Sequence, residues 1–166
     1  MDNQVIAIIG TLLGTIMGWA LNSISSLGWL KHYAEWKDKY ICNETGNFED
    51  CLQEKATYYI YNLTLDMYNS SSNPKIMRNI FIQFYENNKL IYKEVPDDEN
   101  TEFYNSASTF YKKIKPININ PKSVLQVKLR SCIDDKNIFC NFSSIWLVYS
   151  NDRDKLKRFL VYKNKT

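Results

Sequence analysis

Before Lys31 the chain contains no Lys or Arg, and its only acid there is Asp2. Residues 5–21 read VIAIIGTLLGTIMGWAL without a charge, and NSIS extends the run to Ser25. A helix rises about 1.5 Å per residue, so ~20 residues cross the ~30 Å hydrocarbon layer of a bilayer. Residues 5–24 meet that length. Gly10, Gly14, Gly18 and the Thr residues would weaken a soluble helix but are tolerated in a membrane one. Trp19, then Trp29, Tyr33 and Trp36, supply the aromatics that settle at membrane interfaces. A buried core helix is the competing reading. A cleaved signal peptide fits less well, because a basic n-region is missing and the apolar run is long. The expectation is a tail and transmembrane helix over 1–26.

Gly10, Gly14 and Gly18 repeat every fourth residue and share one helix face with Ala7, Thr11 and Thr15. Small residues let two helix backbones approach closely in lipid. The row is therefore a candidate for self-association. The alternative is a monomeric anchor whose glycines only lower its hydrophobicity.

Sidedness receives conflicting signals. Lys31, Lys37 and Lys39 follow the span closely, which favours a cytoplasmic domain at the cell membrane. Four cysteines fall in two close pairs, Cys42/Cys51 and Cys132/Cys140, and glycosylation sequons begin at Asn43, Asn62, Asn69, Asn141 and Asn164. Disulfides and sequons suit an oxidising exterior, so an extracellular domain stays open.

Residues 27–56 read as a membrane-proximal connector. Trp29, Tyr33, Trp36 and Tyr40 recur at helical steps, which suggests a short amphipathic helix on the bilayer surface, with a first strand as the rival reading. Asn43–Asp50 reads as a polar loop bridged by Cys42 and Cys51. From residue 57 the period becomes two. Tyr59, Tyr61, Leu63, Leu65 and Met67 share one face of a half-buried strand. SSSNP at 70–74 is a turn, and two runs around Asn87-Asn88 make a hairpin. PDDENTE at 96–102 reads as an acidic loop. Leu125, Val127 and Leu129 alternate with polar residues, and 145–149 with 156–162 flank a second hairpin. About seven short strands predict an all-β fold: an antiparallel, immunoglobulin-like β-sandwich over 57–166. The Cys…Trp…Cys signature of antibody domains is missing.

Function is constrained mostly by what is lacking. No phosphate loop, dinucleotide fingerprint, metalloprotease or nucleophile-elbow motif is present. His32 is the sole histidine, and it follows the span so closely that an interfacial role is expected of it. Zinc ligands come in pairs ~2–4 residues apart, whereas the gaps here are eight and seven residues. Local disulfides or reduced thiols at Cys42, Cys51, Cys132 and Cys140 are the better reading. The acids at 97–102, 134–135 and 152–154 read as turn residues, without a calcium-loop pattern. Tyr59, Tyr61 and Trp146 lie within strands, so the aromatics read as core and not as a sugar platform. A net charge of +3 from 21 basic and 18 acidic residues is too weak for nucleic acid. The basic C-terminal run fits an edge strand, where Lys blocks pairing.

No catalytic residue, metal or cofactor is therefore expected. The leading expectation is a single-pass, non-enzymatic module that binds a protein partner at the membrane surface. The rival is a membrane-perturbing effector whose glycine-faced helices assemble while the β domain senses or restrains. The expected partners are the bilayer, a second copy through the helix, and a protein of unknown identity.

Overall fold

The computed structural model describes residues 3–26, 28–44, 46–105 and 108–164. Helix α1 (Asn3–Ser26) matches the uncharged run, and Gln4–Ile24 is long and apolar enough to cross a membrane. Its Leu, Ile and Trp side chains are exposed, as suits lipid and not a protein core.

Eleven strands follow among the described residues: β1 (Leu30–Glu44), β2 (Asn47–Asp50), β3 (Tyr58–Asn69), β4 (Lys75–Glu86), β5 (Lys89–Glu94), β6 (Asp97–Asn105), β7 (Ser108–Lys113), β8 (Ile117–Ile119), β9 (Val124–Ile133), β10 (Ser144–Ser150) and β11 (Leu156–Lys163). One sheet runs β2-β1-β3-β9-β6-β7, and the other runs β11-β10-β4-β5 with β8 against β4. Every pairing is antiparallel. This is the expected immunoglobulin-like sandwich behind an apolar helix, with more strands than the seven expected and with β1, β3 and β4 longer than the short strands foreseen.

The core is a row from each sheet. Tyr59, Tyr61, Leu63, Leu65 and Met67 of β3 are all fully buried against Ile80, Ile82 and Phe84 of β4 and Ile145 and Leu147 of β10. At ~1.5–3 kcal/mol per large apolar side chain, the β3 row alone stabilises the fold by about 10 kcal/mol before chain entropy is counted. Asn87 and Asn88 turn β4 into β5 with φ of 46° and 68°. Two successive left-handed residues define the tight hairpin turn that Asn tolerates.

Several expectations are corrected. Residues 27–56 are not a separate connector, and the sandwich does not begin at 57. β1 pairs with β3 from Leu30↔Asn69 to Ile41↔Tyr58, so it belongs to the sheet. Trp29, Tyr33, Trp36 and Tyr40 fit a helical step, but an alternation fits as well: Leu30, Ala34, Trp36 and Tyr40 pack on the core while Tyr33 is exposed. Trp36 is consequently no interface anchor; it stacks on Tyr61 with ring centroids 4.5 Å apart. Residues 47–50 form β2, so the bridged loop is a small hairpin on β1. The acids at 97–102 lie on β6, where Asp97 pairs with Arg130 and ion-pairs with Lys113 at 3.0 Å. The helix α2 (Lys136–Asn141) was not foreseen. Asp135 caps it by accepting from the Asn137 N–H at 2.9 Å, and Ile138 and Phe139 are buried beneath it.

Candidate functional site

Four places concentrate polar or exposed groups, and the strand register decides each. The first is where α1 enters the sandwich. A Cβ on Gly28 would lie 2.3 Å from the backbone of Ser71, so only glycine fits there without displacement. The Trp29 N–H donates to Ser70 Oγ at 2.7 Å, and the Ser70 N–H donates to the Trp29 carbonyl at 3.0 Å. Beneath this clamp, Asn69 is fully buried. Its Nδ2 donates to the carbonyls of Asn73, Ile119 and Asn120, and its Oδ1 accepts from the N–H and Oγ of Ser71. One side chain thus ties the β3–β4 turn to the β8–β9 loop.

Beside the clamp lies a cleft of about 400 Å³ lined by Trp29, His32, Lys75, Tyr149, Lys157 and Phe159, among others. His32 faces inward on β1, stacks on Phe159 at 4.8 Å, and its Nε2 lies 3.1 Å from the Tyr149 hydroxyl. Burial lowers the His32 pKa below its ordinary 6.5 and raises that of Tyr149 to about 12. Both groups are therefore neutral near pH 7. The expectation of an interfacial histidine is replaced by a half-buried one packed between the sheets.

The third place is Glu94 at the end of β5. Its Oε1 accepts from the Tyr61 hydroxyl at 2.7 Å, and its Oε2 accepts from Ser131 Oγ at 2.8 Å. Burial raises its pKa, while the hydroxyl donors and Lys113 oppose that shift. Tyr61 and Ser131 belong to one sheet and Glu94 to the other, so the carboxylate is a polar tie across the sandwich.

The fourth place is the β6–β7 hairpin. β6 meets β9 only at Asp97↔Arg130 and Asp98↔Leu129. Beyond those pairs its residues 102–105 are exposed on both faces. Phe103 and Phe110 stack across the strands at 5.7 Å, and Tyr104 is 75% exposed. An antiparallel pair that leaves its sheet carries aromatic side chains without a core beneath them.

The residues singled out in the sequence scatter. Cys42 and Cys51 form a disulfide that closes the β1–β2 hairpin. Cys132 and Cys140 are free thiols, so of the two alternatives the sequence left open this pair takes the reduced one. The physical reason is parity: Cys132 stands outward between the buried Ser131 and Ile133, whereas Cys140 of α2 packs on the core side. Among the described residues no group of three or more His, Cys, Asp or Glu could hold a metal. Gly10, Gly14 and Gly18 stand open, with nothing within 4 Å of an added Cβ. The hydroxyls of Thr11 and Thr15 donate to the carbonyls of Ala7 and Thr11. Gly28, Asn69 and Glu94 were missed. Asn69 had a signal, since it continues the inward row 59, 61, 63, 65, 67 as a polar residue. Glu94 and Gly28 had none, because their partners are distant in sequence.

A family model described as the YopI Ig-like domain matches residues 28–162, nearly the whole chain after α1. An SPbeta prophage-derived uncharacterized protein, YopI of Bacillus subtilis strain 168, is 26% identical over 134 residues, covering 78% of this chain and 76% of that protein. Among solved structures, a Bordetella pertussis protein described as ApaA overlaps 81% of this chain and 91% of its own, with a TM-score of 0.41 and 6% identity. The Iho670 flagellar-like filament overlaps 95% and 96%, with a TM-score of 0.37 and 9% identity. Overlaps that loose carry no functional weight. The chain belongs to the YopI Ig-like domain family.

Proposed function

We propose that this YopI Ig-like chain is a single-pass, membrane-anchored, non-enzymatic module that presents its sandwich to a protein partner at the membrane surface. The observation that carries the reading is the β6–β7 hairpin. Phe103, Tyr104 and Phe110 are exposed on a strand pair that has left its sheet. Aromatic side chains of this kind provide the anchors of protein interfaces. α1 supports the anchoring half of the reading: its apolar residues are exposed and uncharged over Gln4–Ile24. A tether confines the module to the membrane and raises its effective concentration toward a partner held there.

The rival reading of a pore-forming effector is less well supported. Thr11 and Thr15 offer the polar stripe of α1, but both hydroxyls are bonded to the helix's own backbone. A side chain satisfied in this way suits lipid and offers little to a water-filled lumen. Basic residues after the span favour the cytoplasmic side, while the Cys42–Cys51 bond suits the outer one.

Carbonate extraction of the full chain tests the anchor, and recovery in the soluble fraction would sink it. Affinity purification from detergent-solubilised membranes tests the hairpin. Tyr104→Ala combined with Phe103→Ser should abolish co-purification of the partner while the thermal midpoint of the sandwich holds. Retained co-purification would remove the hairpin from the reading.

A further inference from the structure

The register collects one set of charges at one end of the sandwich. Leu30 pairs with Asn69 and Tyr68 with Val124, while Ser150 pairs with both Arg78 and Leu156. Residues 28–31, 70–78, 120–124 and 150–158 therefore share the end at which α1 enters. They include Lys31, Lys75, Arg78, Lys122, Arg153, Lys155, Lys157 and Arg158, against Asp152 and Asp154 only. That is a net +6 in a chain whose total is +3, so everything else sums to −3. Asp154 is engaged by Arg78 at 3.0 Å, which leaves the remaining basic groups facing a single acid. Among them stand three exposed apolar side chains, Trp29 at 79% and Val124 and Leu156 at 69% each.

We propose that this end docks on anionic phospholipid headgroups of the leaflet from which α1 emerges. The proposal rests on the membrane-anchored reading above. A single residue separates Ser26 from Gly28, and two steps of extended chain reach at most ~7 Å, so this end stays next to the end of the span whatever the helix tilt. The clamp of Gly28 and Trp29 on Ser70 and Ser71 holds the chain entry against the sandwich and turns this face toward the bilayer. Headgroup phosphates complement the positive charge, and Trp29, Val124 and Leu156 suit the boundary between headgroup and acyl chain. The cleft with Lys75 and Lys157 on its wall opens within the same surface. The opposite end, with the β1–β2 hairpin and α2, sets Glu49, Asp50, Glu54, Glu86, Asp134 and Asp135 against Lys55, Lys89, Lys136 and Lys163, so it has no excess of positive charge to attract phosphate.

Hydrogen exchange of the full chain in lipid nanodiscs tests this. Discs of neutral phosphatidylcholine are compared with discs that also contain phosphatidylglycerol. Amides of 150–158 and 120–124 should slow in the anionic discs alone, and added salt should reverse the effect. Each basic side chain near an anionic surface contributes roughly fivefold in association. Arg153→Glu with Lys155→Glu should therefore remove at least about twentyfold of the lipid-dependent protection. Unchanged slow exchange in β3 and β9 would show that the variant is folded.

If α1 is protected in both discs but the basic end exchanges equally, docking is refuted and anchoring stands. If α1 itself exchanges freely, both readings fall. If poly-glutamate slows the same amides in neutral discs while anionic lipid does not, the surface belongs to an acidic protein and the lipid proposal is overturned.

Discussion

Asn69→Ala gives the sharpest test of how the chain entry is held. Asn69 is fully buried, and its side chain makes five hydrogen bonds to Ser71, Asn73, Ile119 and Asn120. Truncation leaves the Ser71 N–H without its acceptor, which costs about 1–3 kcal/mol for a buried donor. Three carbonyls lose their shared donor as well, and each lost bond adds about 0.5–1.5 kcal/mol where water cannot replace it. Bonds that share one Nδ2 are not additive, so the expected loss is about 3–5 kcal/mol. With a urea slope of roughly 2 kcal/mol per molar, the midpoint should fall by about 2 M, measured by tyrosine and tryptophan fluorescence of the full chain in mild detergent. Asn69→Asp is the companion variant. It has nearly the same shape and keeps the one oxygen that accepts from both Ser71 donors, but it turns a second oxygen toward the carbonyls of Asn73, Ile119 and Asn120. It should be at least as damaging as alanine at neutral pH, with partial recovery on acidification. A midpoint within about 0.5 M of the parent for either variant would refute the argument, because a buried amide in this network has no neutral substitute.

Three further outcomes follow from the same structure. Gly28→Ala places a Cβ 2.3 Å from the Ser71 backbone, so it should cost about 1–3 kcal/mol, and its effect should be less than additive with Asn69→Ala because both act on Ser71; full additivity in a double-mutant cycle would show that clamp and network are separate. His32 is held neutral by burial, so its folded pKa lies below the unfolded value of 6.5. The unfolded chain then takes up the proton first, and stability should fall as pH drops below about 6.5 toward the lower folded pKa. His32→Gln should flatten that part of the profile, and an unchanged slope would exclude His32 as its source. Gly14→Ile adds a β-branched side chain where Gly10, Gly14 and Gly18 leave the face of α1 open. It should preserve membrane insertion and lower self-association in a two-hybrid assay of the isolated span; association equal to the parent would make the helix a monomeric anchor.

The sequence by itself determined the features that are local and periodic. An uncharged run of helical length needs no tertiary context to be read, and neither does the alternation from Tyr59 to Met67, which is a property of consecutive side chains on a pleated strand. The Asn87-Asn88 hairpin was legible for the same reason, since the left-handed conformation is a preference of the residues themselves. Where two periods fit one segment, local information was not enough. Trp29, Tyr33, Trp36 and Tyr40 satisfy a helical step as well as parts of a strand, and only pairing with β3 selects the strand. The bulge in β4 is a second case. Ser150 pairs with Arg78 but Val148 with Phe81, so Asn79 is inserted with φ of 52° and the inward parity changes from Met77 to Ile80. The polar sites belong wholly to the tertiary structure. Glu94 meets Tyr61 and Ser131, His32 meets Tyr149, and Gly28 meets Ser71 across separations of dozens of residues, so no pattern of neighbours in the chain encodes them. The basic end is legible only in part: the run at 153–158 shows in the sequence, but strand register alone brings Lys31, Lys75, Arg78 and Lys122 from three other segments to the same surface.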